Sequence, residues 1–290
     1  KGDNHFTWFG HIKEKQNSMV TLLVKNDKIV GDIQVDGKTY TIKTIWNDVI
    51  LTEESQPPFE VLDNLNHLEN APTSSSNISI PNAALSEDGS TGSVIDIMIV
   101  YTADAANEMG DTQSSIELAI DKANLAFSNS NINTQLRLVH ALEVDYVEPT
   151  SSDCTLDTYL TDIQGQNDGK LDDIHNIRDE YGADIVSFWV SEGCGMGGIA
   201  YQLENPNYAF DTHAFGVVVT QCASSYGCFA HEVGHNLGAR HDRFVDSTDG
   251  KPYDYNHGHI DTENQFMTMM SYQNKCIDAG VHYCTRINHF

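Results

Sequence analysis

The first fifty or so positions alternate apolar and polar residues in the way that β-strands do. Residues 19–24 are apolar and partly β-branched, residues 28–33 follow as a second extended run, and residues 39–42 alternate with a period of two. Asp36-Gly37 separates the last two runs, and an Asp-Gly pair between alternating runs is a strong hairpin signal. Residues 1 to about 51 therefore predict a small antiparallel β unit of four or five strands.

The positions that follow lose this alternation. Residues 52 to about 92 are polar and rich in turn-forming residues, with Pro57-Pro58 near the start and the run 86–92 at the end. Such a composition is typical of a linker or an extended strap. We therefore predict two domains, a β-rich unit with its linker at 1–92 and a second domain at 93–290.

From residue 94 onward, strand-like and helix-like patterns follow one another. Residues 114–127 carry apolar side chains at helical spacing, and residues 171–181 are also predicted to be helical. Strand patterns occur at four places: 94–101, 134–144, 183–190 and 215–220. Strands separated by helices favour a mixed sheet with helices packed on it, so we expect an α+β fold.

The charge balance narrows the classes of partner. The chain carries 42 acidic and 16 basic residues, which gives a formal net charge of −26 at pH 7. Phosphate binding needs a basic stripe that this sequence lacks, so we expect no nucleic-acid partner. No apolar run in the sequence is long enough to span a bilayer. We expect a solvated, self-repelling surface and a monomer, with a specific role for the acidic residues as the alternative.

All six cysteines lie in the C-terminal half of the chain. Their even number and the lack of a CxxC pair suggest disulfides and an oxidising compartment, so we expect a secreted, extracellular protein. Six cysteines allow 15 pairings, so the choice among them is weakly constrained. The pairs that we predict are Cys194–Cys222, Cys276–Cys284 and, by remainder, Cys154–Cys228.

One cluster of histidines contains the candidate chemistry. His231 and His235 are four residues apart, so on a helix their imidazoles project from one face and can share a metal ion. Glu232 lies next to the first histidine, within reach of a water on that metal. Gly238 can adopt a positive φ that ends the helix, and the resulting turn lets His241 return as a third ligand. Three histidines with one open position describe a catalytic zinc site; a helix with surface histidines is the alternative.

This spacing, HExxHxxGxxH, is the signature of the metzincin metallopeptidases, which the chain resembles over residues 94–290. Met270, in the run 268–272, is similar to the turn methionine of that clan. Asp242 is similar to the structural aspartate of the adamalysin (reprolysin) branch, whereas Tyr272 is similar to the astacin and serralysin tyrosine that approaches the metal. The chain thus resembles a bacterial reprolysin-like peptidase near the peptidyl-Asp metalloendopeptidase group. Other segments that resemble this group are 194–201, 214–219, Cys222 and 284–287.

The resemblance implies a metzincin catalytic domain that hydrolyses peptide bonds in proteins as an endopeptidase. It implies one catalytic Zn²⁺ held by His231, His235 and His241, with Glu232 as general base toward a metal-held water. Tyr272 would stabilise the tetrahedral intermediate or bind zinc, and packing in the core is the alternative. An edge strand of this clan pairs with the substrate backbone, and an ordinary edge strand or a Gly-rich loop is the alternative here. The residues in that place are Gly198, Ile199, Ala200 and Tyr201.

The β-rich region 1–92 resembles the propeptide that precedes such catalytic domains, so we expect a zymogen whose own N-terminal region is its partner. This region has no cysteine to block the zinc, so a carboxylate, a histidine or steric coverage must do so. The candidates are Asp3, His5, His11, Asp63, His67 and Glu69. An accessory β domain is the alternative for this region. For the whole chain, the alternative function is a zinc-binding adhesion or toxin-like module without peptidase activity.

The run 168–173 contains three aspartates, so Ca²⁺ is considered as a second cofactor. The run lacks the acidic spacing of an EF-hand loop. A helix that begins there with acidic residues in its first turn explains the run, and a Ca²⁺ site is the alternative.

Overall fold

The computed structural model of the protein describes residues 4–15, 18–45, 48–54, 92–149, 154–206 and 208–290. In this part of the chain the strands form two five-stranded sheets and one three-stranded sheet. Helices pack on the second of these sheets, so the fold is α+β as predicted.

The N-terminal sheet is an antiparallel meander whose strands are paired in chain order. Its strands are β1 His5–Gly10, β2 Met19–Lys25, β3 Lys28–Val35, β4 Lys38–Ile45 and β5 Asp48–Glu54. At the β3–β4 turn, Asp36 and Gly37 take positive φ values of 50° and 77°. Two successive positive φ values characterise the hairpin turn that Asp-Gly favours. The prediction of four or five antiparallel strands is confirmed.

The second sheet is mixed, as predicted. Its strands are β6 Ser93–Thr102, β7 Thr134–Val144, β8 Ile185–Val190, β9 Gly198–Ala200 and β10 Phe215–Val219. Their order is β7-β6-β8-β10-β9, and β9 is the antiparallel strand at one edge. All residues of β8 and β10 are buried, which explains their continuous apolar sequence.

Six helices and one 3₁₀ helix lie in the described residues. The helices are α1 Ala103–Met109, α2 Thr112–Asn129, α3 Leu156–Gln164, α4 Ile174–Tyr181, α5 Cys228–Asn236 and α6 Asn274–Asp278, and the 3₁₀ helix is Tyr208–His213. Helix α4 begins three residues later than the sequence predicted. The reason is a turn in which both Asp172 carboxylate oxygens accept backbone N–H groups, from Asp168 at 3.0 Å and Gly169 at 3.1 Å. In the part of the chain that is described, no helix is both long and apolar enough to cross a membrane.

A small sheet lies near the C-terminal end of the described chain. It consists of β11 Ile260–Asp261, β12 Phe266–Met267 and β13 Thr285–Arg286. Strand β13 pairs in parallel with β12, with Arg286 opposite Met267. This pairing places Arg286 next to the run 268–272, which lies in the candidate site.

The three disulfides correct two of the predicted pairs. They join Cys154 to Cys194, Cys222 to Cys228, and Cys276 to Cys284. The Cys276–Cys284 prediction is confirmed, whereas Cys194–Cys222 and Cys154–Cys228 are wrong. The reason is the turn that starts α5: the Cys228 N–H donates to the Cys222 carbonyl at 3.1 Å, which brings these two Cα atoms to 5.5 Å. Cys194 is then left to pair with Cys154 ahead of α3.

Helix α2 is covered on two sides. Ile116, Ala119 and Ala123 face the main core between the mixed sheet and its helices. On the opposite side Leu118 packs against Leu23 and Val30 of the N-terminal sheet. The same helix therefore joins the two parts of the chain.

Most other contacts between α2 and the N-terminal sheet are polar. The Lys122 ammonium lies 2.8 Å from Asp32 Oδ1, and both side chains are almost fully buried. Glu117 accepts from Lys25 at 3.1 Å and lies 2.6 Å from His5 Nε2. The contact between α2 and the N-terminal sheet thus consists of a small apolar cluster with charged pairs around it, and Gln34 makes a further buried hydrogen bond to the Ser225 carbonyl.

Candidate metal centre

Helix α5 and the turn after it bring the three predicted histidines together. His231 and His235 lie one turn apart on α5, and all nine residues of this helix are buried. Gly238 takes a φ of 92°, as its place in the motif predicted. The Gly238 N–H donates to His235 O at 2.9 Å and the Ala239 N–H to Gly234 O at 2.8 Å, which closes the helix end. The chain then reverses its direction, so that the His241 imidazole lies beside those of His231 and His235.

The geometry of the three imidazoles fits a zinc ion. The Nε2 atoms of His231, His235 and His241 lie 3.1 to 3.2 Å from one another. Tetrahedral coordination with Zn–N bonds of about 2.0–2.1 Å places ligand nitrogens about 3.4 Å apart, close to this triangle. All three side chains are fully buried.

The outer nitrogens of two histidines explain why the inner nitrogens can bind a metal. His231 Nδ1 lies 2.9 Å from the Met269 carbonyl, and His235 Nδ1 lies 2.9 Å from the Ala239 carbonyl and 3.0 Å from Gln202 Oε1. These oxygens only accept, so each Nδ1 carries the proton and each Nε2 presents a lone pair. Facing lone pairs repel unless a cation lies between them.

Glu232 lies against the edge strand. Its carboxylate is buried, and a Cβ atom built on Gly198 would come within 2.4 Å of Glu232 Oε1. Strand β9 can therefore approach the carboxylate this closely because position 198 has no side chain. The structure thus places two predicted features, the candidate base and the candidate substrate strand, in direct contact.

Tyr272 and Asp242 occupy different positions relative to the histidines. The Tyr272 hydroxyl lies 3.0 Å from His241 Nε2, on the side where the three inner nitrogens meet. Asp242 Oδ2 accepts the Tyr272 N–H at 3.0 Å, and its Oδ1 accepts the Phe244 N–H at 3.0 Å. Both carboxylate oxygens of Asp242 thus accept backbone N–H groups, and its structural role stays a prediction.

Met270 lies beneath α5. A Cβ atom on Gly234 would meet Met270 Sδ at 2.5 Å, so the helix and the methionine are packed as closely as a glycine allows. The sequence reasoning did not single out Gly234. A signal was present, because a glycine inside a helix costs about 1 kcal/mol relative to alanine and indicates a packing requirement.

Two further residues of the site were missed. Gln202, two residues after β9, contacts His235 as described above and is buried. Arg286, which lies in the segment 284–287 that resembles the peptidyl-Asp metalloendopeptidase group, donates to backbone carbonyls of the 268–272 run. Neither residue carries a local sequence signal, because each contact joins segments that are distant in the chain.

The other predicted candidates lie away from this cluster or outside the described residues. His5 Nε2 is engaged by Glu117, and His11 is exposed. Asp3, Asp63, His67 and Glu69 lie outside the described residues. The aspartates of the 168–173 run do not belong to any candidate metal-binding group found among the described residues, and calcium is not supported there.

A mixed sheet whose edge strand runs beside a helix with a three-histidine centre is an architecture suited to metal-dependent peptide hydrolysis. Comparison with known proteins gives the family. Residues 91–289 match a reprolysin-type model of Metallo-peptidase family M12, and the chain belongs to this family.

Bacterial relatives support the same group. The chain is 31% identical over 284 residues to a peptidyl-Asp metalloendopeptidase of Stenotrophomonas maltophilia, with 94% of this chain and 62% of that protein covered. It is 29% identical over 284 residues to a peptidyl-Asp metalloendopeptidase of Xanthomonas campestris, with 93% and 61% covered. The chain therefore spans about three fifths of the length of these curated relatives.

Among solved structures, metalloproteinase-II from Bacteroides fragilis shares 12% sequence identity with this chain at a TM-score of 0.38, with 87% of this chain and 81% of that one covered. A likeness this low does not establish a shared fold.

Proposed function

We propose that the chain is a zinc-dependent endopeptidase that hydrolyses peptide bonds in proteins. The observation that carries this proposal is the convergence of three buried Nε2 atoms at 3.1 to 3.2 Å from one another beside the Glu232 carboxylate. Membership of a metallopeptidase family supports the same reaction.

In the proposed mechanism, each residue of the site has a distinct task. His231, His235 and His241 would hold the zinc. When bound, zinc supplies Lewis-acid polarisation of the scissile carbonyl and lowers the pKa of water toward neutrality. Glu232 accepts the proton of the attacking water and returns it to the leaving amine. The Tyr272 hydroxyl would donate to the oxygen that becomes negative, or would bind the metal before substrate arrives; its distance of 3.0 Å from His241 Nε2 supports this proposal.

The substrate would bind along β9. This strand is the edge of the mixed sheet, and its Gly198 lies against Glu232. An extended peptide added to this edge would pass the base and the metal. The relatives named peptidyl-Asp metalloendopeptidases support the further proposal that peptide bonds next to aspartate are preferred. Peptides that differ only by Asp or Asn at the cleavage site test that preference.

Replacement of the base tests the reaction itself. We expect Glu232→Gln to lower kcat by at least about 10²–10⁴-fold, because no carboxylate remains to move the proton. Zinc content should stay at one ion per chain, since Glu232 is not proposed as a ligand. Hydrolysis of casein, measured after removal of residues 1–92, gives the rate, and metal analysis gives the zinc content. Glu180→Gln on the exposed side of α4, treated in the same way, is the control. Substantial proteolysis by the Glu232→Gln variant would refute the assignment.

We also propose that the N-terminal region holds the enzyme as a zymogen and that the protein is secreted. The three histidines and Glu232 are buried in the full chain, and the N-terminal sheet packs on α2 of the part that contains them. Three disulfides favour an oxidising compartment. An accessory domain in place of a propeptide would leave activity unchanged when residues 1–92 are removed. A zinc-binding module without peptidase activity would hydrolyse no casein even after that removal.

A further inference from the structure

Arg286 binds the backbone of the 268–272 run, which lies beneath the candidate metal centre. This side chain is buried, and its guanidinium donates to the carbonyls of Thr268, Met269 and Ser271. The Nη2 bond to Ser271 O measures 2.9 Å. A planar guanidinium with several donors in a fixed arrangement can bind several carbonyls at once.

Two of these carbonyls connect Arg286 to the histidines. Met269 O also accepts from His231 Nδ1 at 2.9 Å, so the two donors share one oxygen. Ser271 O belongs to the peptide group whose N–H, that of Tyr272, donates to Asp242 at 3.0 Å. Arg286 and Asp242 therefore bind the C=O and the N–H of the same Ser271–Tyr272 peptide group. The hydroxyl of Tyr272 lies 3.0 Å from His241 Nε2.

The charge of Arg286 is retained despite its burial. Burial lowers the pKa of its guanidinium to about 10, with Tyr283, Tyr272 and Asp242 opposing the shift. The group is still protonated at neutral pH, so its hydrogen bonds to the carbonyls are charge-assisted. Such bonds are roughly twice as strong as neutral ones.

We propose that Arg286 is a positioning residue of the metal centre. It keeps Met269 O in place as the acceptor of His231, and it keeps the Ser271–Tyr272 peptide group in the orientation that brings the Tyr272 hydroxyl to His241. The proposal rests on the zinc site of the proposed function. Residues that orient metal ligands in this way typically change metal affinity or activity by 10- to 100-fold when they are replaced.

The chain offers a matched control for this role. Arg178, at the end of α4, is also buried and also donates to three backbone carbonyls. Its bonds reach Ala183 O at 3.0 Å, Asp211 O at 2.6 Å and Asp184 O at 2.7 Å. None of these three residues has a hydrogen bond to the histidine cluster among those found in the described chain. Arg178→Met thus removes a similar backbone clamp at a place unrelated to the metal.

The test compares zinc binding by the full chain with Arg286→Met and with Arg178→Met. The dissociation constant is measured by competition with a chelator, at a temperature where circular dichroism shows both variants folded. We expect Arg286→Met to bind zinc roughly 10- to 100-fold more weakly than the wild type. Arg178→Met should stay within about twofold of the wild type while losing thermal stability, since a lost backbone hydrogen bond acts on folding alone.

Substitution of zinc by Co²⁺ adds a spectroscopic measurement that a general loss of stability would not change. The visible absorption of the Co²⁺ form should change in Arg286→Met and stay unchanged in Arg178→Met. Arg286→Lys, which keeps the charge but cannot reach three carbonyls at once, should give an intermediate affinity. It replaces Arg286→Met in the comparison if the methionine variant does not fold.

The positioning role would be overturned if the wild type, Arg178→Met and the Arg286 variant all bound zinc equally well. It would also be overturned if the variants at position 286 and position 178 bound zinc equally weakly. The positioning role would also be overturned if the Arg286 variant lost cleavage only of peptides with aspartate at the cleavage site while its zinc affinity stayed unchanged. These outcomes leave the proposed function intact. A wild-type chain that binds no stoichiometric zinc would instead refute the proposed function.

Discussion

Two glycines set how closely the backbone approaches the reacting groups. Gly198 has no side chain between strand β9 and the Glu232 carboxylate, and Gly234 has none between α5 and the Met270 sulfur. Neither glycine has a positive φ, so the requirement at these positions is space and not backbone conformation. A substitution at either position therefore changes a packing contact and leaves the backbone conformation unstrained.

Gly198→Ala should impair catalysis more than folding. The new methyl group would lie 2.4 Å from Glu232 Oε1, and the carboxylate must move away from its present position. Because a misplaced general base loses much of its contribution of about 10²–10⁴-fold, we expect kcat to fall by at least about tenfold. Zinc content should not change. Rate assays on the activated enzyme and metal analysis measure this, with Ile199→Val in the same strand as the control. Unchanged turnover in Gly198→Ala would show that the carboxylate can adjust freely.

Helix α2 shows how one element serves two neighbours. Its Ala-rich side packs in the main core, and its other side presents Glu117, Leu118, Asp121 and Lys122 to the N-terminal sheet. The Lys122–Asp32 pair is the buried part of this contact, and Asp32 Oδ2 has no hydrogen-bond partner in the described part of the chain. Burial raises the pKa of Asp32, although the Lys122 charge opposes that shift.

Removal of one partner of this pair should cost more than removal of both. Lys122→Met leaves a buried carboxylate without its cation, so we expect a loss of about 3–5 kcal/mol in the free energy of unfolding. The double variant Lys122→Met with Asp32→Leu should recover most of that loss, because neither charge is then buried. Thermal unfolding of the full chain measures both. Equal stability of the single and double variants would contradict this account.

The loss in Lys122→Met should also depend on pH. Because the folded-state pKa of Asp32 is raised above its ordinary value of 3.8, protonation favours the docked sheet. The contribution of protonated Asp32 to the free energy of unfolding is therefore present at low pH and is lost as pH rises through the raised pKa. In Lys122→Met the buried carboxyl is neutral in acid and needs no cation. This variant should accordingly be less destabilised in acid than at neutral pH. The exposed pair Lys15–Asp36 provides the control, since such a pair contributes at most about 1 kcal/mol.

For the whole molecule, the distribution of charge favours a separable N-terminal part. Residues 1–54 contain seven basic and eight acidic residues, whereas residues 55–290 contain the remaining nine basic and 34 acidic ones. A nearly neutral sheet thus docks on a strongly acidic remainder with little repulsion. The surface of α2 that it covers is mostly charged, so this surface can face water once the sheet has left.

Removal of residues 1–92 should therefore yield a soluble, active enzyme. We expect casein hydrolysis to rise about tenfold or more, since even 1.4 kcal/mol of blocking contacts gives a factor of ten. A protease site placed near residue 92 allows cleavage, followed by separation of the fragments. The cleaved but unseparated sample distinguishes release from cleavage alone. Equal activity in the intact, cleaved and separated samples would favour an accessory domain.

Local patterns account for the parts of the fold that the sequence predicted. Period-two alternation and the Asp36-Gly37 turn identify strands of the N-terminal sheet, because both act between neighbours in the chain. The buried strands of the mixed sheet follow from continuous apolar runs. The short helices α1 and α3 were not predicted, because few turns give a weak periodic signal. The two wrong disulfides depended on a turn at α5 that spacing alone does not reveal.

The sequence by itself determined which three histidines come together in the candidate metal centre. Helical periodicity places His231 and His235 on one face, and a single glycine brings His241 back to them, so all of this information is local. Only the tertiary structure decided what surrounds them: Gly198 at Glu232, Gln202 at His235, and Arg286 at the carbonyl that His231 uses. These contacts join segments far apart in the chain, and their formation depends on how sheets and helices pack rather than on any pattern within one segment.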